Sequence, residues 1–570
     1  MSKSARRLAL VAATLLVLAQ GAAMASTPLR LTKPVRLTKD DVDPARMYMA
    51  PSLAVNPANQ LQVVAGMTEL RSKRCSLMRS VDGGQTWTRL DTSPMPDSYP
   101  FCNTNNRGSY QSQVAFGRNG VVYDAFPAWD VSDGNSRGNN SVLVARSTNL
   151  GDTWQVTTAR DNRGKQGNDQ ENIRPVGSIA VDAKSGSQDA VYVGYSARIT
   201  NATAPNAVPN QPIVIASTDG GRTFADPVDL APTIFDDPAV RTAAISATTV
   251  PPPPTSSTTV PPASSKAAQP NQVANFGGFQ PVVTVGANGT VYAVWPASSA
   301  NITPSIPTGI MVSRSTDKGK TWTTTQVGTF SYTNGSFLQM AWSPGGGSQG
   351  TLHLVYPGSL TPTVGGQSDI FYLRSTDGGK TWTDPKNLTD DDPQAFYGQY
   401  YPNVTVSPNG NRVDVAWYDT RDDIGIRSND VYYAYSTDDG KTWSKNTRAT
   451  DQSIDRRFGV WSNGYDVTSP PSLASADAYT ILGWDDTRNT DKTSPDAAAP
   501  GGGSQDIYTT DVQFRAVGGG ASKAAKVALA GVLGLFAVGL VLVIVSLAGR
   551  RATGAGHVDQ GSSTTTASVT

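Results

Sequence analysis

The sequence predicts an all-β fold, a β-propeller of four-stranded blades, and three observations carry that prediction. One eight-residue pattern recurs six times along the chain. Each copy follows a β-rich segment, and upstream of that segment lie two more in the units that read most clearly. The carboxylates are almost all Asp, with Glu69 and Glu171 the only glutamates, and Gly, Pro, Ser and Thr abound. Such a composition suits short strands and tight turns rather than helices.

The pattern is S-x-D-x-G-x-T-W, and its copies begin at Ser80, Ser147, Ser217, Ser315, Ser375 and Ser436. Its third position is Asp82, Asn149, Asp219, Asp317, Asp377 and Asp438, and its last is aromatic throughout, Phe224 replacing Trp once. An Asp or Asn side chain accepts hydrogen bonds from the backbone N–H groups that follow it, and Gly supplies a positive φ, so the pattern is a locked hairpin turn. Before it come strands such as 369–374 and 430–435. In the sixth unit two earlier strands, 403–406 and 412–417, flank the turn Pro408-Asn-Gly410. Periods of roughly sixty to seventy residues built from such units indicate a radial propeller. A seventh unit follows the last box, with strands at 472–474, 479–484 and 506–510 but no box. The orphan segment Val35-Arg-Leu-Thr38 is similar to the fourth-strand segment Asn387-Leu-Thr389 and is expected to complete that last blade, closing the ring. Seven blades are favoured, with six the alternative. Within 47–515, the Pro/Ser/Thr run 248–270 has no capacity to pack and is expected to be a disordered insertion.

These boxes resemble the Asp-box, or bacterial neuraminidase repeat, and the chain resembles the sialidase-like propeller superfamily from about Pro51 to Phe514. The resemblance implies the fold. It leaves chemistry open, because enzymes and non-enzymes share the box. Sialidases of this type carry an F/Y-R-I-P motif before the first box, whose Arg begins a triad gripping the substrate carboxylate. The comparable segment here, Met47-Tyr-Met-Ala-Pro51, has no Arg in that position.

The ends of the chain carry targeting signals. Residues 1–25 have the basic start, apolar run and Ala23-Met24-Ala25 ending of a secretory signal peptide, and 26–46 hold the closing strand. After a linker at 516–526, residues 527–548 are uncharged and long enough, at about 33 Å as a helix, to cross a bilayer. Arg550 and Arg551 open the tail 549–570. The reading is a single-pass type I cell-membrane protein with its propeller outside. Cys75 and Cys102 are then expected to form a disulfide. A net charge of +1, from 47 basic and 46 acidic residues, gives no footprint for nucleic acid. Two histidines, His353 and His557, make a His-built metal site unsupported, and no cofactor is implied.

Candidate binding residues are sought on the face opposite the boxes. Trp417-Tyr-Asp419-Thr-Arg421 and Trp484-Asp-Asp486-Thr-Arg488 repeat in adjacent units. Their Asp and Arg could hold a sugar or a carboxylate, or could pair with each other. Tyr397, Tyr400 and Tyr401 enter the sixth unit on the same face. The weak catalytic candidates are Asp130, Glu171, Arg174, Arg421 and Arg488, since a glycosidase needs paired carboxylates or a polarised Tyr nucleophile. The expected function is a non-catalytic ectodomain that binds an extracellular glycan or protein. An exo-glycosidase, of sialidase type or using an Asp pair such as Asp130 and Asp419, is the alternative.

Overall fold

The computed structural model describes residues 29–39, 47–90, 94–102, 112–130, 140–162, 171–199, 211–231, 269–270, 276–278, 281–299, 307–328, 337–358, 368–392, 398–423, 427–459, 469–494 and 503–514. The signal segment, the linker, the apolar span, the tail and Tyr397 lie outside these. Among the described residues no helix is long and apolar enough to cross a membrane.

Seven antiparallel sheets follow one another along the chain, and each is the core of one blade. Blade 1 is Tyr48–Val55, Val63–Glu69, Arg74–Ser80 and Thr88–Arg89, paired in that order. Blade 6 repeats it with Gln399–Val406, Val413–Asp419, Ser428–Ser436 and Thr447–Arg448. The first strands of consecutive blades touch one another all the way round, and that of blade 7 touches that of blade 1. The protein is therefore a seven-bladed β-propeller.

Second strands show why the blades stack. Val122–Trp129, Thr351–Gly358 and Tyr479–Asp486 are buried at every position, because each is sandwiched between neighbouring blades on both faces. An apolar cluster fills each joint. Blades 6 and 7 meet through Tyr418, Val431, Tyr433, Leu482 and Trp484. Blades 7 and 1 meet through Leu37, Leu53, Met67, Trp87, Ile481 and Ile507. Trp295, Trp417 and Trp484 occupy matching places on their second strands and are fully buried, as core aromatics.

Each box forms the turn between third and fourth strands. In the fifth, Asp377 Oδ1 accepts from the Thr381 N–H at 3.0 Å and Oδ2 from the Thr381 hydroxyl at 2.6 Å. Ser375 Oγ donates to Asp377 at 2.9 Å and accepts from the Gly379 N–H at 3.0 Å. Asn149 does the same job with an amide, accepting from the Thr153 N–H and donating to its hydroxyl. Two consecutive residues in each box have positive φ, and the first of them is Leu150, Lys318 or Asp439 in the boxes that lack the second Gly.

Two short N-terminal segments pair with the last strand of blade 7. Val35 and Arg36 pair with Thr509 and Tyr508, and Arg30 and Leu31 pair with Gln513 and Val512. The register matches that of true fourth strands: Arg36 faces Tyr508 as Arg448 faces Tyr432 and Asn387 faces Phe371. Thr38 donates to Asp506 at 2.6 Å, as Thr450 does to Asp430 at 2.5 Å and Thr389 to Asp369 at 2.6 Å.

Cys75 and Cys102 are bridged, with Cα atoms 5.7 Å apart. The bridge packs with Tyr99 and Phe126 beside blade 2. In the insertion 248–270, expected to be disordered, the last two residues, Gln269 and Pro270, instead pair with Gln326 and Thr325 at the edge of blade 4, where an open strand offers hydrogen bonds to passing backbone. The rest of that run lies outside the described residues.

Candidate functional site

Opposite the boxes, each blade presents the link between its second and third strands and the connection arriving from the previous blade. The two W-x-D-T-R segments end second strands on this face. Asp419 is fully buried. It accepts from Trp417 Nε1 at 3.0 Å, from the Arg421 N–H at 2.9 Å and from Arg421 Nε at 2.9 Å. Arg421 continues outward to Asp390 at 2.8 Å and Asn446 at 3.1 Å, with its guanidinium carbon 4.3 Å above the Tyr432 ring. Blade 7 copies the arrangement. Trp484 and Arg488 hold Asp486, Arg488 reaches Asp451 at 2.8 Å, and Tyr508 lies 4.3 Å beneath it. Each Arg therefore ties the connection leaving one blade to the second strand of the next. Of the two roles the sequence left open for these pairs, the described bonds are those of an internal staple, and both carboxylates are turned into their own blades.

The remaining catalytic candidates lie on other blades. Asp130 follows the second strand of blade 2 and Asp419 ends that of blade 6, and those blades are not neighbours. Glu171 opens the first strand of blade 3, which also carries Arg174, and their side chains lie outside the description. Glu69 is engaged in a local turn, accepting from Arg71 Nε at 2.8 Å and from the Ser72 N–H at 2.8 Å. Burial would raise its pKa, but the bonds from Ser72 and Arg71 outweigh it and hold the carboxyl low.

Where blades 6 and 7 meet, a different set of residues gathers. The first strand of blade 6 bulges at Tyr401, which has a φ of 54°, just before Pro402. At the bulge Tyr401 meets Phe337 edge-on at 4.4 Å, Tyr400 stacks on Tyr418 at 5.8 Å, and the two tyrosine rings meet each other edge-on at 5.3 Å. Arg456, in the connection into blade 7, lies over the other side of this group, 5.0 Å from the Tyr400 ring. It is 6% exposed, and its Nε is buried without a hydrogen bond. Among the described residues no carboxylate pairs with its guanidinium.

Its neighbours are also unsatisfied. Asn429 is 1% exposed, and neither its amide oxygen nor its amide nitrogen has a partner among the described residues. Tyr418 and Ser469 are as deeply buried, and Ser469 Oγ has no partner among the described residues. Asp485 uses Oδ1 to accept from the Ala50 N–H at 3.0 Å, while Oδ2 has no partner among the described residues. Burial pushes its carboxyl up to about 8, against the pull of the Ala50 bond and with help from Asp486. At neutral pH it is a neutral acid able to donate. Burial also drives the Tyr418 phenol well upward, and Asp485 adds to that. Leaving a buried polar atom unpaired costs about 1–3 kcal/mol, so such a concentration calls for an explanation. Sequence reasoning missed Arg456, Asn429 and Asp485, which belong to no repeated motif except for Asp485, the unremarked middle residue of W-D-D-T-R.

A family model described as BNR/Asp-box repeat matches residues 434–445, which contain the sixth box. No curated protein matches the chain. Among solved structures, it is similar to a protein of unknown function from Dyadobacter fermentans at 11% identity and a TM-score of 0.43, covering 86% of this chain and 100% of that one. It is similar to a Hadza microbial sialidase at 14% identity and a TM-score of 0.41, covering 80% and 75%. An α-L-arabinanase of Penicillium chrysogenum, solved with arabinobiose, shows 15% identity and a TM-score of 0.38, covering 68% and 94%. The family-model match thus shows an Asp-box repeat at the sixth box, within a seven-bladed β-propeller.

Proposed function

We propose that the chain is a cell-surface protein whose propeller binds an extracellular glycan or protein without turning it over. One observation carries this reading: an arginine with no acidic partner among the described residues sits with unsatisfied buried polar groups on the face opposite the boxes. Support for a non-catalytic role comes from Asp419 and Asp486, which are held by Trp and Arg, and from Glu69, which is held in its own turn. The glycosidase alternative draws on a single fact, the neutral carboxyl of Asp485, which could act as a general acid. It still needs a second, ionised carboxylate opposite the first, and Asp486 is committed to Trp484 and Arg488.

The same proposal includes a cleaved signal at 1–25, a type I span at 527–548 and a ring closed by the N-terminal strand. A single bilayer crossing after the last blade would leave the propeller outside and the tail inside. Protease added to intact cells should remove the propeller and spare an epitope placed after Arg551. A tail epitope accessible without permeabilisation would overturn the topology. The full-length protein should bind ligands in a glycan array or pull-down, yet release no sugar from a fluorogenic sialoside above background. Turnover of the sialoside would transfer the assignment to the enzyme alternative.

A further inference from the structure

We propose that blade 1 is a proton-controlled element of the ring: buried carboxyls in both of its joints hold it closed in acid and loosen it as the pH rises through neutrality. Asp124 lies on the second strand of blade 2, where Val122 packs with Val64 and Leu77 of blade 1 while Tyr123 and Ala125 pack toward blade 3. That alternation turns Asp124 toward blade 1. Its Oδ1 accepts from Ser112 Oγ at 2.6 Å, Ser112 rests against Gly66 of blade 1, and Oδ2 has no partner among the described residues. Asp485, on the second strand of blade 7, faces blade 1 in the same way, because Ile481 joins the cluster with blade 1 while Leu482 and Trp484 join that with blade 6. Its Oδ1 takes the Ala50 N–H of blade 1 at 3.0 Å, and Oδ2 is unpartnered among the described residues. Asp511, on the third strand Asp506–Gln513 of blade 7, stands beside the first box, where a Cβ on Gly84 would lie 3.5 Å from its Oδ1. All three are buried.

No cation compensates these groups among the described residues. That sets the joints of blade 1 apart. Asp414, between blades 6 and 7, pairs with Arg412 at 2.8 Å, and Asp439, between blades 5 and 6, pairs with Arg374 at 2.6 Å. Nor does the fold require a carboxyl at Asp124. Counted from the residue opposite each box Ser, its register holds Ala65, Val193, Ala293, Leu354 and Val415 in the other boxed blades. A carboxylate ionised in such a place without a partner is costly, so the proton stays on. Burial is the main cause for all three. It takes Asp124 up to about 7 against the Ser112 bond, Asp485 up to about 8 against the Ala50 bond and with help from Asp486, and Asp511 up to about 7 with help from Asp82. Asp82 itself stays ionised, because bonds led by those from Thr86 outweigh its burial. Burial drives the phenols of Tyr418 and Tyr479, which face Asp485 and Asp511, upward, so these neighbours stay neutral. A carboxyl protonated in the fold and released near 4 in the open chain favours the closed form at low pH. Opening then becomes easier by up to about tenfold per pH unit and per group, between about 4 and the folded value. Glu69 with its turn and Cys75 belong to blade 1, so the loosening reaches the face opposite the boxes.

The test is hydrogen exchange of the full-length chain in detergent, read as local opening constants from about pH 5 to about pH 8. Opening of Tyr48–Val55 and Val63–Glu69 should increase at least about a hundredfold between about pH 5 and about pH 7, with Val291–Ser299 of blade 4 changing less than about threefold. Asp124→Leu copies the residue of blade 5 at that register, and Asp485→Asn keeps an acceptor for Ala50. Each should cut the rise at least about tenfold. Opening of blade 1 that rises no more than that of blade 4 in the parent protein would overturn the proposal, whether or not either variant folds. Variants that keep the full rise would overturn it too. So would variants that open more readily by one factor at every pH, since that is the signature of a merely structural role.

Discussion

If residues 35–38 are the fourth strand of blade 7, Thr38→Val should cost as much stability as the same change in a blade made wholly from contiguous chain. Thr38 is 4% exposed and donates to Asp506, itself fully buried, at 2.6 Å. Thr450 in blade 6 is also 4% exposed and donates to Asp430 at 2.5 Å. Valine keeps the shape and removes only the donor, so the loss is that of a hydrogen bond to a buried charged group, about 1.5–3 kcal/mol in each case. Both carboxylates keep other partners, Asn489 and Arg36 for Asp506, and Ser453 and Arg448 for Asp430. Urea unfolding of the two variants beside the parent gives the two losses directly. A second variant, Leu37→Ala, removes a fully buried side chain from the joint with blade 1 and should cost about 2–5 kcal/mol. A Thr450→Val protein weakened as expected, with Thr38→Val and Leu37→Ala both unchanged, would refute the reasoning. It would mean that the N-terminal segment rests on the sheet without completing it.

Asp377→Ala should lower stability by about 1–2 kcal/mol with ligand binding intact, since it removes the acceptor for the Thr381 N–H and hydroxyl at the far face. Its carboxyl is held low despite some burial, by bonds from Thr381 first, so this contribution is present at neutral pH and fades as the pH falls through the depressed value. Asp485 works in the opposite sense. The folded protein keeps its proton up to about 8 while the unfolded chain releases it near 4, so its contribution is lost as the pH rises between those values. Asp485→Asn should therefore show a stability-versus-pH curve flatter than the parent's by up to about 1.4 kcal/mol per pH unit in that window, read by denaturant titration. Parallel curves would show that Asp485 is ionised in the fold. Cys75 and Cys102 should resist alkylation until a reductant is added, and reduction should cost on the order of 3 kcal/mol for the 27-residue separation they span.

The frame of the molecule was legible because it repeats. Six boxes announce six turns, and the strands before them share one register, so even the unboxed seventh unit could be recognised from its strand pattern. What the boxes hid was their second strained position. Gly fills it at residues 83, 220 and 378, but Asp439 adopts a φ of 64° there. Its side chain accepts from Arg374 at 2.6 Å, Thr351 at 2.8 Å and Ser343 at 3.0 Å, partners in the preceding blade that compensate for the strain. The site was less legible. Spacing showed that Asp419 and Arg421 could meet, yet their fate depends on Asp390 and Tyr432, brought in from other segments. Arg456 carries no local signal, because only the fold shows that no carboxylate among the described residues pairs with it.

The bond from the Thr510 hydroxyl to the Thr32 carbonyl joins positions 478 residues apart. Seen in the order of synthesis, the first described strands of the chain must wait, unpaired, until nearly the whole ring has emerged. Blades 1 to 6 can each complete their own four strands as they appear, whereas blade 7, if the N-terminal segment closes it, would draw on a segment made before any of them. If that segment completes blade 7, the final step of folding is a docking of the two ends rather than the addition of one more unit. Anything that holds back residues 29–38, a retained leader or a bulky fusion ahead of them, acts on the last blade and on its joints with both neighbours. The oldest part of the nascent chain decides when the newest part is finished.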